Sequence, residues 1–497
     1  MRLVWKSDCC DTCRNRKVKC DGEYPICRNC SRNKRTCERT YQKGRLVRLP
    51  QTKSLVLPKR QFPCTVGNLP TSPSQGHLYQ QQFLSCFLAD FFPSQSSGLQ
   101  IFSYFEDLCK HHGESDYINV GSSALSLVYF GQTHGNEHLL KLSLQYYHLL
   151  LGMVCIAKQP TEDVIIGAAL LSMYEVYNPV ETTSWTIHVR GACNLVATRG
   201  PESPINPRLL CLVRTIGQFY ESLGRRKTTF PPSPRWNEIV SKTEPFEQLL
   251  SIILSLPRLE ELHDKIEQSE SAKRLFLSQL TTTYSKLRMW YLEFLNSQKL
   301  CTFEKRTAKP GELSFVAHYP ELRDTFPEVI IFSSRYICQL LLLCWTGFFV
   351  LNHETSKFVR TFKTTIEYTQ DSHLLSPAQH QCPCLNNEST ITEWSGSLDQ
   401  ETDTGIYLVE KCAEVFAERI CQSIVYADKY SYASAMKLMI ISPVWILQQY
   451  FIDKKDYQRA LWCRCALEAI PPRRVGFGSL LAKLSVQQYQ EVGGGKR

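Results

Sequence analysis

The chain lacks any apolar run long enough to cross a bilayer. Its longest, Tyr336 to Leu351 (YICQLLLLCWTGFFVL), is short of the ~20 residues a span needs and is interrupted by Gln339 and Gly347. A buried core helix is expected there instead. The start of the chain also lacks the apolar core of a signal peptide, because Leu3, Val4 and Trp5 are followed at once by Lys6, Ser7 and Asp8. That absence argues against a secreted disulfide scaffold, despite 22 cysteines. In a reducing compartment, clustered cysteines are expected to be metal ligands. No Gly-rich phosphate loop, GxSxG, HExxH or suitably placed carboxylate pair is found, so no enzyme is expected. Two-residue alternation is scarce and no internal repeat is evident, which leaves a mostly α chain.

What is present is unevenly distributed. At 497 residues the chain is long enough for two to four domains, and 43% apolar content is enough to bury a core. The formal net charge is +10, yet up to Arg60 there are 17 Lys and Arg against 5 Asp and Glu. The remainder is close to neutral. A basic head on a neutral body is the electrostatic pattern of nucleic-acid binding, since a basic patch releases phosphate counterions; a solvated basic arm would have the same composition.

Composition divides the chain into three parts. Up to about Thr40, seven cysteines lie among basic residues with few aliphatic ones. Residues 41–76 are polar and basic, and Pro50, Pro58, Pro63, Pro70 and Pro73 deny them a continuous helix, so a flexible linker is expected. From His77 onward the pattern is helical. Leu139, Leu142, Tyr146, Leu149 and Met153 recur at three- and four-residue steps. A second helix is expected after Pro160, capped by Thr161, with Glu162 and Asp163 in its first turn and Ile165, Ile166, Ala169, Leu170 and Met173 on its apolar face, closed by Pro179. A third is expected through Trp185, His188, Ala192, Leu195 and Val196, stopped at Gly200–Pro201. A fourth face runs Phe276, Leu280, Tyr284, Leu287, Tyr291 and Phe294. Residues 370–400 turn polar and irregular, as an exposed loop or disordered insertion would.

The most specific signal is the spacing Cys10-x2-Cys13-x6-Cys20-x6-Cys27-x2-Cys30-x6-Cys37. Its two halves repeat one plan, a CxxC pair and then a third thiol. A CxxC pair suits one zinc, because a single turn brings both sulfurs to it. Six thiolates complete two tetrahedral sites only if two of them bridge both metals. The resulting cluster is net negative, and Arg14, Arg16, Lys17 and Lys19 around it favour deprotonated thiols and face an anionic partner. So few apolar residues cannot build a core, so zinc must supply folding energy. Cys9 does not fit the spacing of both halves and is left out.

The segment Cys10-Asp11-Thr12-Cys13-Arg14-Asn15-Arg16-Lys17-Val18-Lys19-Cys20 resembles the fungal Zn2Cys6 binuclear cluster family, whose signature is CDxCRxxKxKC. Pro25 falls in the loop that joins the halves in that family. The resemblance implies two Zn²⁺, with Cys10 and Cys27 bridging, Cys13 and Cys20 completing one site, and Cys30 and Cys37 the other. It implies that Lys17 reads guanine edges of a CGG-like triplet in the major groove, and that Arg14 and Lys19 contact phosphates. Three further segments resemble the helical region that follows many such clusters. They are Trp185-x2-His188-x2-Gly191-Ala192-x2-Leu195 ending in Arg199-Gly200, the run Leu125 to Gly131, and the run Phe83 to Phe92.

Other residues read as structural. His188 has no acidic or thiol partner at helical spacing and is expected to be a packed, hydrogen-bonded histidine. Cys382-Pro-Cys384 with His373 and His380 has poor zinc geometry, Cys463-x-Cys465 is weaker still, and the remaining cysteines are expected to be buried apolar residues. The expectation is therefore a mostly α protein of three parts: a Zn2Cys6 DNA-binding domain at 8–40, the linker at 41–76, and an all-helical regulatory domain at 77–497. It would bind double-stranded DNA in the nucleus and regulate transcription of RNA polymerase II genes. Arg32-Asn33-Lys34-Arg35, Lys43 to Arg48 and Lys59-Arg60 would serve nuclear import or phosphate contact. The linker shows no sustained heptads, so a homodimer would form through the helical region, or one chain would bind one half-site. Transcription coregulators are the other expected partners. A metal- or redox-responsive interaction module using the same thiols, without selective DNA binding, is the alternative.

Overall fold

Helix dominates the computed structural model. It describes residues 12, 13, 16, 18, 20, 28–33 and 35 and then 82–88, 115–178, 184–224, 236, 244–263, 265–266, 269–298, 302–362, 401–430 and 434–469. The chain divides into two compact units, residues 1–72 and 73–497. In the first unit α1 spans Arg28–Arg32.

The second unit begins, among its described residues, with a helical segment at 82–88 that buries Leu84 and Phe87. Helices α2 (Asp116–His134) and α3 (Glu137–Ile156) form a hairpin. Gly135 ends α2 at φ 62°, a left-handed conformation that costs glycine little, and the Asn136 side chain then caps α3 by accepting from the His138 and Leu139 N–H groups. Gly131 lets the pair close. A Cβ there would lie 2.6 Å from Leu140 Cδ2 and 3.1 Å from the Leu140 backbone nitrogen.

Helix α4 (Glu162–Tyr177) starts as expected, with Thr161 Oγ1 accepting from the Val164 N–H, and it buries all five of the predicted face residues. It is buried on every side, as a central helix is. Pro179 lies outside the described residues. Helix α5 (Ser184–Arg199) buries Trp185, His188, Ala192 and Val196, and Gly200 stops it at φ 77°. Next come α6 (Pro207–Gly224), α7 (Pro245–Ile253), α8 (Leu256–His263) and the 28-residue α9 (Glu270–Ser297), whose six predicted face residues are all buried.

An all-helical body is corrected at this point. Strands β1 (Phe303–Thr307) and β2 (Glu328–Phe332) pair antiparallel, with Phe303 opposite Phe332. The β2 sequence EVIIF is a short continuous apolar run, and such runs carry no two-residue period to reveal them. Both end aromatics rest against Trp345, with ring centroids 5.5 and 5.9 Å away.

That tryptophan belongs to α10 (Arg335–Phe362), which contains the long apolar run. The helix is long and apolar enough to cross a membrane, but 78% of its apolar window is buried inside the protein, as expected for a core helix. Helices α11 (Glu401–Val425), α12 (Ser434–Asp453) and α13 (Tyr457–Ala469) complete the described fold, with a π-helical turn at Tyr426–Tyr430 after α11. One hydrophobic cluster runs from Leu84 to Leu467 through these helices.

Two sequence expectations change. The stripe Leu139, Leu142, Tyr146, Leu149 and Met153 is helical, but α3 buries its other side, through Ser143, Tyr147 and Leu150. Most remaining cysteines are buried, including Cys193, Cys211, Cys338, Cys344, Cys412, Cys421, Cys463 and Cys465, whereas Cys86 and Cys155 are exposed. The linker expected at 41–76, the insertion at 370–400, and the group Cys382, Cys384, His373 and His380 lie outside the described residues.

Candidate functional site

In the first unit, only Cys13 and Cys30 are buried among the described residues, at 1% and 2% exposure. Their Sγ atoms are 3.8 Å apart, and Val18 and Cys20 pack against them. Two thiolates on one tetrahedral zinc, bound at about 2.3 Å, are separated by nearly this distance. The spacing therefore fits sulfurs gathered into one metal shell, while the choice of bridging cysteines remains with the family resemblance. A unit whose buried apolar content is two cysteines has no core of aliphatic side chains to hold it. The donor set, soft sulfur with no buried carboxylate among the described residues, suits zinc.

The backbone carries the internal repeat seen in the cysteine spacing. Thr12 and Cys13 are helical, as is α1 around Cys30. The Cys13 carbonyl accepts from the Val18 N–H at 3.1 Å, and the Cys30 carbonyl accepts from the Arg35 N–H at 2.9 Å. These are the same five-residue link, offset by the 17 residues that separate Cys13 from Cys30. A link of this kind ends a helical turn and folds the chain back, so that each third cysteine can return toward its CxxC pair. In the second half, the Asn33 side chain reinforces the turn by donating to the Asn29 carbonyl at 2.7 Å.

Of the predicted ligands, Cys13, Cys20 and Cys30 are described, and Cys10, Cys27 and Cys37 lie outside the described residues. Among the described residues no three His, Cys, Asp or Glu side chains form a group able to hold a metal ion. Of the predicted DNA contacts, Arg16 is exposed, and Arg14, Lys17 and Lys19 lie outside the described residues. Arg28, Arg32 and Arg35 are also exposed, so the described surface of this unit is basic around two buried thiols.

The second unit contains a buried polar cluster that the sequence did not reveal. Tyr147 Oη donates to Glu175 Oε1 at 2.6 Å, and Ser184 Oγ donates to Glu175 Oε2 at 2.8 Å. His188 Nε2 lies 2.7 Å from Tyr147 Oη. With the Tyr147 proton committed to the carboxylate, Nε2–H is the donor. Burial lowers the His188 pKa against the opposing pull of Glu175, so the ring is neutral. Burial, then the hydrogen bond to Glu175, pushes the Tyr147 hydroxyl well above the usual phenol range. His188 is thus packed and hydrogen-bonded, as expected, but its acidic neighbour comes from α4, where no spacing within α5 could show it. Each polar group in this cluster has a partner, as in a structural network.

A second buried group ties α8 to α10. Burial alone would raise the Glu354 carboxyl, but hydrogen bonds from His263 and Lys357 hold it at about 2. Burial lowers the adjacent His353 to about 4, and its ring packs on Phe349 and Tyr450. Such a histidine stays neutral near pH 7 and serves as an aromatic core residue.

Residues 8–46 match the family model of the fungal Zn(2)-Cys(6) binuclear cluster domain. No curated protein and no solved structure matches the chain. The match covers the segment with the six spaced cysteines and ends before the helical unit. The first unit therefore carries a zinc-binding, DNA-binding domain of the kind found in fungal transcription regulators.

Proposed function

We propose that this protein is a nuclear, sequence-specific regulator of RNA polymerase II transcription that reads CGG-like half-sites in the major groove. The observation that carries the reading is the match of residues 8–46 to the zinc-cluster family. The buried thiol pair supports it, as does a charge distribution that puts the basic excess before Arg60.

The proposed domains are the DNA-binding domain at 8–40, the linker at 41–76 and a regulatory region at 77–497 that meets coregulators. Cys10, Cys13, Cys20, Cys27, Cys30 and Cys37 would hold two Zn²⁺, with Cys10 and Cys27 as the bridges. Zinc supplies the cross-linking energy that orders the domain. The protein side chains do the recognition. Lys17, near the end of the first helical turn, would donate to guanine O6 and N7, which present paired acceptors in the major groove. Arg14, Arg16 and Lys19 would fix register on phosphates, a term that weakens steeply with salt and carries little sequence information.

Selection from a random DNA library by the zinc-loaded full chain tests this. A CGG-containing motif is expected to be enriched, and no enriched motif would overturn the reading. Lys17→Ala should lower affinity for that motif by about 10- to 100-fold, the range of one lost bidentate contact, with zinc content unchanged. Undiminished selectivity in that variant would remove Lys17 from the interface.

A further inference from the structure

The outward side of α3 carries an apolar seam. Leu139, Leu142, Tyr146, Leu149, Met153 and Ile156 follow one another at steps of three, four, three, four and three residues, the heptad spacing of helices that pack as a pair. The opposite face serves the fold, burying Ser143, Tyr147 and Leu150, with Leu140, Leu144, Leu151 and Val154 packed against the core. Of the seam residues only Tyr146 touches that core. Leu149 is 43% exposed and Ile156 79%, two of the few large hydrophobics exposed among the described residues.

We infer that this seam is a homodimer interface, in which α3 of a second copy of the chain packs antiparallel about a two-fold axis between Tyr146 and Leu149. In that register every layer is filled by the seam itself: Leu139 meets the partner's Ile156, Leu142 meets the partner's Met153, and Tyr146 meets the partner's Leu149. An isologous contact requires this self-complementarity.

Charge and size select the antiparallel orientation. The polar flank of α3 carries His138 and Lys141 in its first half and Gly152 and Cys155 in its second. A Cβ at Gly152 would meet nothing within 4 Å, so that half of the flank is open. A parallel pair would set Lys141 beside Lys141, whereas the antiparallel pair lays the long cations of one copy over the small neutral residues of the other. The seam is about 25 Å long at 1.5 Å per residue, which places the contact at the small end of specific interfaces and predicts a dimer of micromolar strength.

A lipid surface is less well matched. By length and composition α3 could cross a membrane, but its inward face is sealed into the core, where Tyr147 is hydrogen-bonded to Glu175. Its outward polar flank has one lysine, where interfacial helices carry many basic residues.

The inference is independent of DNA binding, and sedimentation of the full zinc-loaded chain without DNA tests it. Reversible dimerisation is expected in the micromolar range, and Leu149→Lys should raise the dimer Kd about tenfold or more with the helical spectrum unchanged. Leu139→Glu and Ile156→Lys should each weaken the dimer, and the double variant should recover it, because residues 139 and 156 face each other only in the antiparallel pair. A wild-type chain that stays monomeric, or a dimer indifferent to Leu149→Lys, would overturn the proposal. Two further results would also overturn it: a double variant weaker than either single one, or a monomer that co-sediments with anionic vesicles and loses them on Leu149→Lys.

Discussion

Hydrogen-bond and packing partners, more than residue type, determine what each polar side chain does in this protein. His188 and Glu175 illustrate the point, since each would read as catalytic in a cleft and each is structural where it lies. The Glu175 carboxylate is fully buried and depends on donated protons from Tyr147 and Ser184. Tyr147→Phe removes one donor and leaves His188 Nε2 without its acceptor. The expected cost is about 2 kcal/mol, as for a buried charged group that loses a hydrogen bond. Urea unfolding of the full chain followed by helical signal would measure it, and a cost below about 0.5 kcal/mol would mean that water replaces the hydroxyl. That His188 would be packed was legible in Trp185-x2-His188-x2-Gly191. Its carboxylate neighbour was not, because three different helices supply the cluster.

At the scale of elements, caps and stops were the most legible features. Thr161, Asn136, Gly135 and Gly200 act through local backbone geometry, which depends on only a few consecutive residues. Faces were less secure. Periodicity in α3 shows two apolar stripes, one around Leu140, Tyr147 and Leu150 and one around Leu139, Leu142 and Leu149, and a one-dimensional pattern cannot say which faces the core. The contact between α2 and α3 settles it, and Gly131 makes that contact possible. Gly131→Ala would drive a methyl into Leu140, including its backbone, where little can move aside. A loss of about 1–3 kcal/mol is expected from such overpacking, seen as a lowered midpoint in thermal unfolding of the helical unit. An unchanged midpoint would show that the hairpin can open by a few tenths of an ångström at no cost. The strands β1 and β2 escaped notice for a related reason, since five residues without alternation resemble any short buried segment.

The whole molecule joins two units held together by different physics. The first has two buried cysteines and no aliphatic core among its described residues, whereas the second buries a continuous cluster that includes Trp345, Trp462 and Phe348. Chelation of zinc should therefore unfold one and spare the other. With a strong chelator, DNA binding is expected to vanish while the thermal transition of the helical unit stays within about 2 °C, well inside the shift that 1 kcal/mol would cause. A large downward shift of that transition would mean that zinc also supports the second unit.

The residues alone determined the zinc-cluster domain, because metal ligation needs particular atoms at particular spacings and six cysteines with their basic neighbours write that requirement directly into the chain. They also determined where helices begin and end, since capping is local. Only the tertiary structure decided which stripe of α3 is buried, which carboxylate faces His188, and that a two-stranded sheet interrupts the helices. Those outcomes depend on contacts between segments tens of residues apart, where many pairings bury similar apolar area and close packing selects one of them.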